Sequence, residues 1–443
     1  MNGLCVDLYE IRMAVSYLRR GMRGPATFSL FVRELPPCRG FLVAAGLADC
    51  LDFLTRFTFD EDELDYVGRT FGLDRRDRQA LAVLRFTGDV RAVPEGRVVF
   101  AGEPLLEVTA PIAQAQLVET AMLNFVTFQT AIASKAARCR LAAGEADLVD
   151  FAARRTHGFE AAAAAARASA IAGFGATSYV AAARAYGLRC AGTMAHSYVE
   201  AFSDERMAFS AFAEDFPDVA VFLVDTYDSL AGVDAAIDVA LRLGAGARRG
   251  VRLDSGDLAA LAAGTRRRLD AAGLGDARIM ASGGLDEHRI AALLTAGAPI
   301  DAFGVGTKMG VSADAPSLDT AYKLVEYDGR PVLKLSAGKA TLPGAKQAFR
   351  GAEGDVLTLR GERAAGTPLL VPVMRDGRLL GPLRTPEQLV RDARTRCAAD
   401  LAALPEHSRR LVDPVPVPVT PSAALTELTD RLRARHPSGG ARS

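Results

Sequence analysis

The sequence has no tryptophan, and only five of its 443 residues are histidine. Its six cysteines are widely spaced, with no CxxC pair and no Cys/His group at metal-ligand spacing. Such a pattern is typical of reduced thiols, so we expect neither disulfides nor structural zinc, and we expect a cytoplasmic protein.

The chain also lacks an excess of either charge, since 53 basic and 53 acidic residues cancel. This balance excludes a generic attraction to nucleic acid or to an anionic membrane, so any anion must be bound locally. No apolar run is long enough for a membrane segment, because the alanine-rich stretch 161–185 is interrupted by Arg167 and Arg184. Asp7 and Glu10 likewise argue against a secretory signal peptide.

The hydrophobic pattern predicts a mixed α/β segment at the start of the chain. A helix is expected within 7–20, a strand from Ala26, a helix over 41–54, antiparallel strands within 86–112 and a long helix over 113–141. Near the C-terminus, 322–350 reads as a β-hairpin turning at Asp328 and Gly329 followed by a basic loop. The Pro-rich 412–421 predicts an extended strap, and 437–443 are expected to be disordered.

From about residue 148 the pattern becomes regular, with short apolar runs followed by polar turns and amphipathic helices. The runs from 188 onward recur at roughly the length of a βαβ unit. A doubly wound sheet would satisfy this spacing, but a barrel would also bring the polar end of every run to one mouth, and we prefer it. The runs are 147–151, 188–193, 219–225, 250–256, 277–284 and 300–307.

We therefore predict an α/β fold: an irregular (β/α) barrel with a mixed α/β accessory domain built from N-terminal and C-terminal segments. The predicted domains are a mixed α/β domain at 1–112, the barrel with the catalytic site at 113–321, and a β-rich segment and strap at 322–443 that packs on the N-terminal domain.

One histidine, His196, follows an apolar run and is surrounded by the small residues Gly192, Thr193 and Ala195. A lone histidine in this place is more often structural than functional. Asp225, however, ends the next apolar run and would lie close enough in a barrel to orient the imidazole. We therefore predict that His196 is the centre of an active site.

Other strand ends carry groups suited to a phosphorylated sugar. The glycine turns ASGG (281–284) and GVGT (304–307) can present backbone N–H groups to phosphate, although each could simply turn the chain. RLDSGD (252–257) suits ribose hydroxyls or a magnesium-bound diphosphate, although Asp254 or Ser255 could instead cap a helix. DFAARR (150–155) offers an aromatic ring and two guanidinium groups to an aromatic acid.

These motifs, taken together and in order, resemble those of nicotinate phosphoribosyltransferases, a family of type II phosphoribosyltransferases. The resemblance covers nearly the whole chain, and ten ordered motifs are far more specific than one glycine turn. They are VDLYEIRM (6–13), ATFSLFVRELPP (26–37), FAARRTHG (151–158), FGATSYV (174–180), GTMAHSYV (192–199), VDTYDSL (224–230), RLDSGDL (252–258), ASGGLDE (281–287), FGVGTKMG (303–310) and KATLPGAKQAFR (339–350).

The resemblance implies that nicotinate and phosphoribosyl pyrophosphate give nicotinate mononucleotide and diphosphate, with ATP hydrolysis coupled through phosphorylation of His196. It implies Mg²⁺ carried by the diphosphate, and a homodimer with a shared site. Asp225 would orient His196, while Phe151 and the partner's Tyr9 would sandwich the pyridine ring. The other implied contacts are Arg154, Arg155, Thr177 and Ser178 with the nicotinate carboxylate and diphosphate, Arg252 and Asp254 with the ribose and its phosphates, Ser282, Gly283, Gly284, Gly306 and Thr307 with the 5′-phosphate, and Lys339 and Lys346 with ATP or diphosphate.

The sequence departs from the family pattern at four positions that flank the base pocket: Val6, Ala152, Ala153 and Tyr179. Alternatives therefore remain: phosphoribosyl transfer to a related aromatic acid, as in quinolinate-type enzymes, or a non-catalytic homologue that binds NAD precursors. Nicotinamide is disfavoured as substrate because the arginine pair suits an acid.

Overall fold

The computed structural model describes residues 3–243, 248–336 and 338–435, and both the predicted disordered end at 437–443 and His436 lie outside these ranges. The strands are β1 (Pro25–Val32), β2 (Leu42–Val43), β3 (Asp89–Ala92), β4 (Val98–Val99), β5 (Pro104–Pro111), β6 (Asp147–Asp150), β7 (Ala176–Thr177), β8 (Val219–Leu223), β9 (Arg248–Leu253), β10 (Arg278–Ala281), β11 (Ala302–Val305), β12 (Thr320–Tyr327), β13 (Arg330–Pro331), β14 (Lys346–Arg350), β15 (Asp355–Leu359), β16 (Thr367–Pro368), β17 (Val371–Arg375), β18 (Arg378–Leu379) and β19 (Val419–Pro421). The helices are α1 (Leu8–Arg19), α2 (Leu47–Arg56), α3 (Glu61–Phe71), α4 (Arg75–Ala82), α5 (Ile112–Leu117), α6 (Glu119–Ala143), α7 (Phe159–Ile171), α8 (Val180–Tyr186), α9 (His196–Glu200), α10 (Glu205–Asp215), α11 (Ser229–Ala240), α12 (Leu258–Ala271), α13 (Glu287–Thr295), α14 (Thr307–Gly310), α15 (Pro386–Ala403), α16 (Glu406–Arg409) and α17 (Ala423–Ala434), with a 3₁₀ turn at Ala153–Arg155.

The first compact unit combines residues 1–131, 317–384 and 395–443. Its main sheet has the order β13-β12-β1-β5-β3-β17-β18. Strand β1 pairs antiparallel with both β5 and β12, so N-terminal and C-terminal segments share one sheet. The ring of Phe28 stacks on that of Tyr322 with 4.8 Å between centroids. The hairpin predicted at Asp328 and Gly329 is confirmed, and both residues have the positive φ that its turn requires.

The helix predicted over 41–54 is only partly correct. Residues 42–43 form β2 against β4, and helix α2 begins at Leu47. Gly46 precedes the helix with φ of 96°, and a Cβ there would lie 2.6 Å from the carbonyl oxygen of Phe125. Because residues 41–45 are all buried, their uniform hydrophobicity carries no periodicity that separates a buried strand from a helix.

The antiparallel strands predicted within 86–112 are confirmed as β3, β4 and β5. The helix predicted over 113–141 is present as α5 and α6, with a break at Val118. Helix α1 confirms the helix predicted within 7–20, and it buries Ile11, Ala14 and Val15. It also buries Glu10, whose carboxylate accepts hydrogen bonds from the backbone N–H and the hydroxyl of Thr120.

The buried Glu10 predicts a pH-dependent stability. Burial raises its pKa from 4.5 to about 7, although the hydrogen bond from Thr120 opposes the shift. The native state therefore holds this proton more tightly than the unfolded chain does, and stability falls as pH rises from about 4.5 to about 7. The free energy of unfolding of Glu10→Gln minus that of wild type should increase by about 2 kcal/mol from pH 5 to pH 8. Urea unfolding at both pH values measures this.

An exposed acid of the same unit, Glu61, provides the control. Glu61→Gln should follow the wild-type pH dependence. If Glu10→Gln does the same, the predicted titration of Glu10 does not occur.

The second compact unit contains residues 132–316 and 385–394. Its sheet is parallel, with the order β7-β6-β11-β10-β9-β8. This is the cyclic order of a barrel opened between β7 and β8, which makes the sheet a curled half-barrel. The α/β prediction and the parallel strands from 147–151 and from 219 onward are confirmed.

The strand predicted at 188–193 is wrong. Only an isolated parallel bridge between Cys190 and Thr177 marks its place, at the opening of the half-barrel. Residues 189 and 190 are exposed, so this segment lacks the buried face that would hold it as a full strand. Among the residues that the structure describes, no helix combines the length and the apolar character that crossing a bilayer requires.

Candidate functional site

The carboxyl ends of neighbouring strands meet around one side chain, Arg252, near the end of β9. Its guanidinium donates to the hydroxyl of Ser282 after β10 at 2.7 Å and to the carboxylate of Asp254 at 2.7 Å. It also donates to Thr193 in the segment before α9 at 3.3 Å, and it lies 5.0 Å from the ring centroid of Phe151 after β6. The guanidinium of Arg252 thus contacts residues of the motifs predicted to bind the sugar, the phosphate and the aromatic ring.

The predicted central histidine, His196, is the first residue of the short helix α9. It is half-buried, and its Nδ1 lies 3.2 Å from the hydroxyl oxygen of Thr226. The prediction that Asp225 orients the imidazole needs correction, because the ring bonds to Thr226, the next residue along. Asp225 lies beyond the end of β8, and its carboxylate bonds instead to the turn at residues 254–257 that follows β9, called here the β9 turn.

The carboxylate of Asp225 has one bonded and one unbonded oxygen. Oδ2 accepts from the backbone N–H of Asp254 at 3.2 Å and from the hydroxyl of Ser255 at 2.5 Å. Oδ1 is buried and accepts no hydrogen bond from the described part of the chain. An unpaired buried carboxylate oxygen is unfavourable, so Oδ1 is a candidate acceptor for a donor or a cation.

Asp254 is held in its charged form. Burial alone would raise its pKa, but the hydrogen bond from Ser282, the guanidinium of Arg252 and the nearby His196 together lower the pKa below its ordinary value. A carboxylate that stays ionised can accept hydrogen bonds from sugar hydroxyls. The role predicted for Asp254 from RLDSGD, binding of ribose hydroxyls, stays a prediction.

The first glycine turn, 281–284, has the backbone that only glycine adopts readily. Gly283 and Gly284 have φ of 90° and 64°. A Cβ at Gly283 would lie 1.9 Å from the carbonyl oxygen of Asp254, so this turn lies directly against the β9 turn. The N-cap of α13 follows at Asp286, which accepts from the N–H of Arg289.

The second glycine turn, 304–307, packs against the residue predicted to stack on the substrate. A Cβ at Gly304 would lie 2.5 Å from ring atoms of Phe151, and one at Gly306 would lie 3.1 Å from its backbone oxygen. Thr307, the first residue of α14, is exposed. Strands β10 and β11 are paired neighbours, so both glycine turns lie on one edge of the sheet.

The predicted acid-binding residues divide into exposed and buried members. Arg154, Arg155 and Ser178 are exposed and free to meet a ligand. Thr177 is buried, and its hydroxyl donates to the carboxylate of Asp150 at 2.8 Å. Asp150 also accepts a hydrogen bond from the N–H of Ala152 at 2.8 Å, so Thr177 supports the turn that follows β6.

Three predicted residues belong to the first unit and are described within it. Tyr9 on α1 is 44% exposed, so its ring is available at the surface of that unit. Lys339 is also exposed. Lys346 is buried, with its ammonium 3.8 Å from a carboxylate oxygen of Glu107 and 2.8 Å from the backbone oxygen of Gly344. We therefore correct the role predicted for Lys346, which is structural because burial leaves its side chain no surface to offer ATP.

Two of the four residues that depart from the family pattern, Ala152 and Tyr179, have defined contacts in the structure. Ala152 is buried, and a Cβ at Gly310 would lie 2.3 Å from that of Ala152. The alanine at 152 therefore requires glycine at 310. Tyr179 occupies the N-cap position of α8, and its ring stacks on that of exposed Phe159, with 6.4 Å between ring centroids. Nothing in the structure explains Val6 or Ala153.

Sequence reasoning missed three supporting residues: Thr193, Thr226 and Asp150. Thr226 adjoins Asp225 and Thr193 lies in the His196 motif, so proximity along the chain was a signal. Asp150 ends β6 in the position where polar groups of parallel strands gather, and this signal applied to it as well.

Comparison with known proteins matches nearly the whole chain to one protein family. The model described as the nicotinate phosphoribosyltransferase family matches residues 146–347. Models of the N-terminal and C-terminal domains of nicotinate phosphoribosyltransferase match residues 4–127 and 348–429.

Relatives and solved structures agree with these matches. A nicotinate phosphoribosyltransferase of Mycobacterium tuberculosis is 50% identical over 419 residues, covering 93% of this chain and 90% of its own length. That of Bacillus subtilis is 43% identical over 377 residues, covering 82% of this chain and 77% of its own length. The crystal structure of human nicotinic acid phosphoribosyltransferase superposes with a TM-score of 0.85 at 31% identity, covering 96% of this chain and 99% of the human one.

A nicotinate-nucleotide pyrophosphorylase from Pyrococcus furiosus superposes with a TM-score of 0.73 at 24% identity, covering 90% of this chain and 95% of its own. That likeness concerns the fold alone. Three family models, relatives at 43% and 50% identity and the human structure lead to one conclusion. The chain belongs to the nicotinate phosphoribosyltransferase family.

Proposed function

We propose that this protein transfers the phosphoribosyl group of phosphoribosyl pyrophosphate to nicotinate at the strand ends around Arg252, and couples the transfer to ATP through His196. The observation that carries the proposal is the group formed by Arg252, Asp254 and Ser282 beside Phe151. It combines an ionised carboxylate for ribose hydroxyls, a cation for phosphate and an aromatic ring for the base.

In the transfer, the pyridine nitrogen bonds to the anomeric carbon of the ribose while the bond from that carbon to the diphosphate oxygen breaks. The electron pair leaves with the diphosphate, and the sugar passes through a cationic, oxocarbenium-like state. Asp254, ionised and near the sugar, stabilises this positive charge, while the glycine turns hold the 5′-phosphate. Exposed Arg154 and Arg155 bind the nicotinate carboxylate and favour an acid over an amide.

His196 couples ATP to the reaction without breaking the glycosidic bond. Its Nδ1 faces the hydroxyl of Thr226, which leaves Nε2 as the nitrogen that takes the γ-phosphoryl group. ATP is cleaved to ADP as this bond forms, and water later releases phosphate. The phosphorylated state changes the binding free energy of substrates and products close to Asp254.

The residues present fit a magnesium ion that arrives with the diphosphate. Among the described residues, no group of three or more His, Cys, Asp or Glu side chains is placed to hold a metal. A substrate-borne Mg²⁺ needs only one or two carboxylates, and Asp225, with its unbonded buried Oδ1, is the candidate ligand. When bound, the ion neutralises charge on the leaving diphosphate.

The first unit serves in this proposal as an accessory domain that supplies a residue in trans. Tyr9 has an exposed ring on α1, and we propose that in a homodimer it covers the partner's pyridine site opposite Phe151. Of the two lysines predicted to contact ATP or diphosphate, Lys339 is the exposed one.

A steady-state comparison of aromatic acceptors tests the proposal. With phosphoribosyl pyrophosphate, nicotinate should have the highest kcat/KM, and nicotinamide should fall by at least about tenfold because one charge-assisted hydrogen-bonded pair is lost. Assays of nicotinate, nicotinamide, quinolinate and benzoate, with and without ATP, measure this.

Benzoate, which has the carboxylate but no ring nitrogen, controls for binding without transfer. A preference for quinolinate would overturn the assignment in favour of the quinolinate-type alternative, and the absence of turnover with every acceptor would favour a non-catalytic binding protein.

A further inference from the structure

Behind the two glycine turns lies a buried group of four charged side chains that the reaction does not use directly. Lys135 and Arg138 project from α6, and Glu287 and Asp314 come from the segments that follow the two turns. The side chains of Lys135, Arg138 and Glu287 are 3%, 2% and 0% exposed. We call these four residues the buried charge group.

Lys135 joins the two segments. Its Nζ lies 2.7 Å from a carboxylate oxygen of Glu287, the first residue of α13, and 3.0 Å from one of Asp314, beyond α14. Helix α13 starts just after the first glycine turn, and α14 starts at the end of the second. A single ammonium group therefore links the start of α13 to the segment that follows α14.

A second ion pair links the same segments nearer the solvent. The ammonium of Lys308, in the first turn of α14, lies 2.7 Å from the carboxylate of Asp286, the N-cap of α13. This pair is partly exposed, with 46% of the lysine side chain accessible, so its contribution is small. The buried link through Lys135 is the stronger of the two constraints.

The buried group does not improve stability in an obvious way, because apolar side chains of similar volume often stabilise a core as well or better. Ion pairs instead fix the geometry of the segments that carry them, because each carboxylate must stay at a defined place beside its cation. We propose that Lys135 is a positioning residue that holds the two glycine turns in register for one phosphate group. This inference rests on the proposed function, in which both turns bind the 5′-phosphate.

The register matters because backbone N–H groups from two loops must converge on the same oxygen atoms. Displacing one loop by about 1 Å is enough to weaken such a site severely. Loss of Lys135 should therefore weaken the phosphate-bearing substrate while leaving the nicotinate carboxylate contacts at Arg154 and Arg155 intact.

The test compares Lys135→Met and Lys135→Arg in steady-state kinetics of the full-length enzyme. Glu287 keeps Arg138 as a partner in Lys135→Met, since Arg138 Nε donates to it at 2.8 Å. Asp314 is 16% exposed and can be hydrated, so this variant should fold. We expect KM for phosphoribosyl pyrophosphate to rise about tenfold, with KM for nicotinate changed by less than about twofold. Lys135→Arg keeps the charge and should restore most of the loss.

Arg266 supplies the matched control at the opposite end of the same sheet. Its guanidinium donates to the backbone oxygens of Leu274 and Ala277 at 2.8 Å, just before β10 begins. Arg266→Met should lower the melting temperature without altering the ratio of the two KM values. Partial unfolding lowers the fraction of competent enzyme and would raise both KM values alike, so it cannot mimic a change confined to phosphoribosyl pyrophosphate.

The outcomes separate the two proposals. Equal changes of both KM values in Lys135→Met, or no rescue by Lys135→Arg, would overturn the positioning role. If the wild-type enzyme does not use phosphoribosyl pyrophosphate, the proposed function itself fails, and titration with inorganic phosphate then tests the role of Lys135 independently. In that case, unchanged phosphate affinity in Lys135→Met would overturn it.

Discussion

Gly283→Ala is expected to raise KM for phosphoribosyl pyrophosphate by about a hundredfold, because the added Cβ would lie 1.9 Å from the backbone oxygen of Asp254. The new Cβ would clash with a backbone atom, and no flexible side chain can move to relieve the clash. The first glycine turn must therefore move away from the β9 turn. The φ of 90° adds strain that a non-glycine residue rarely accepts. Steady-state kinetics with varied phosphoribosyl pyrophosphate measure the effect.

Two further glycines distinguish the effect of the steric clash from the effect of backbone strain. Gly284→Ala places an alanine at φ of 64° in the same turn, with the far end of the Arg289 side chain 3.6 Å away as its nearest neighbour. It should have a much smaller effect on KM. Gly297, after α13, has φ of 71° and open space around it, so Gly297→Ala should cost about 1 kcal/mol of stability and leave KM unchanged. Similar KM values for all three variants would show that the close approach to Asp254 is unimportant.

His196→Ala is expected to abolish the stimulation by ATP while a slow, ATP-independent transfer continues. The reason is that, in the proposed function, Arg252, Asp254 and the glycine turns hold the reacting atoms, whereas His196 changes only the binding free energies. A coupling free energy of ordinary size corresponds to stimulation on the order of tenfold, and this factor should disappear. Rates with and without ATP measure it, and labelling with γ-³²P-ATP reports the phosphohistidine directly.

His407, exposed in the first unit, provides a matched control. His407→Ala should take up label and respond to ATP as the wild type does. Thr226→Val removes the hydroxyl that faces Nδ1 and should slow labelling without preventing it. Full ATP stimulation in His196→Ala would mean that the phosphoryl group is carried elsewhere.

Much of the fold could be predicted from the sequence, because its signals are local. Alternating hydrophobicity and turn residues located α1, the hairpin at Asp328 and Gly329, and the strands around 219–225 and 250–256. The prediction failed at 41–54 and 188–193, where uniformly apolar or half-exposed segments carry no periodicity. In both places, tertiary packing decided between strand, helix and irregular chain.

Some residues of the candidate site could also be predicted from the sequence, and others could not. Residues whose chemistry is rare and ordered along the chain, such as His196, Asp254 and the two glycine turns, were identifiable from motifs. Lys346 was misjudged, because a basic residue in a loop-like sequence looks exposed, and only the structure shows it buried against Glu107. Thr226 is the partner of His196, while the carboxylate of Asp225 bonds instead to Asp254 and Ser255.

By itself, the sequence determined the family, the α/β character and the set of chemical groups available to the reaction. These properties follow from which residues are present and how they are spaced, and both can be read without knowing any distance. Only the tertiary structure decided how those groups meet: the opening between β7 and β8, the links from Arg252 to four chain segments, and the buried charge group at Lys135. Such contacts join residues far apart in the chain, and burial and hydrogen-bond geometry select them only once the strands have paired.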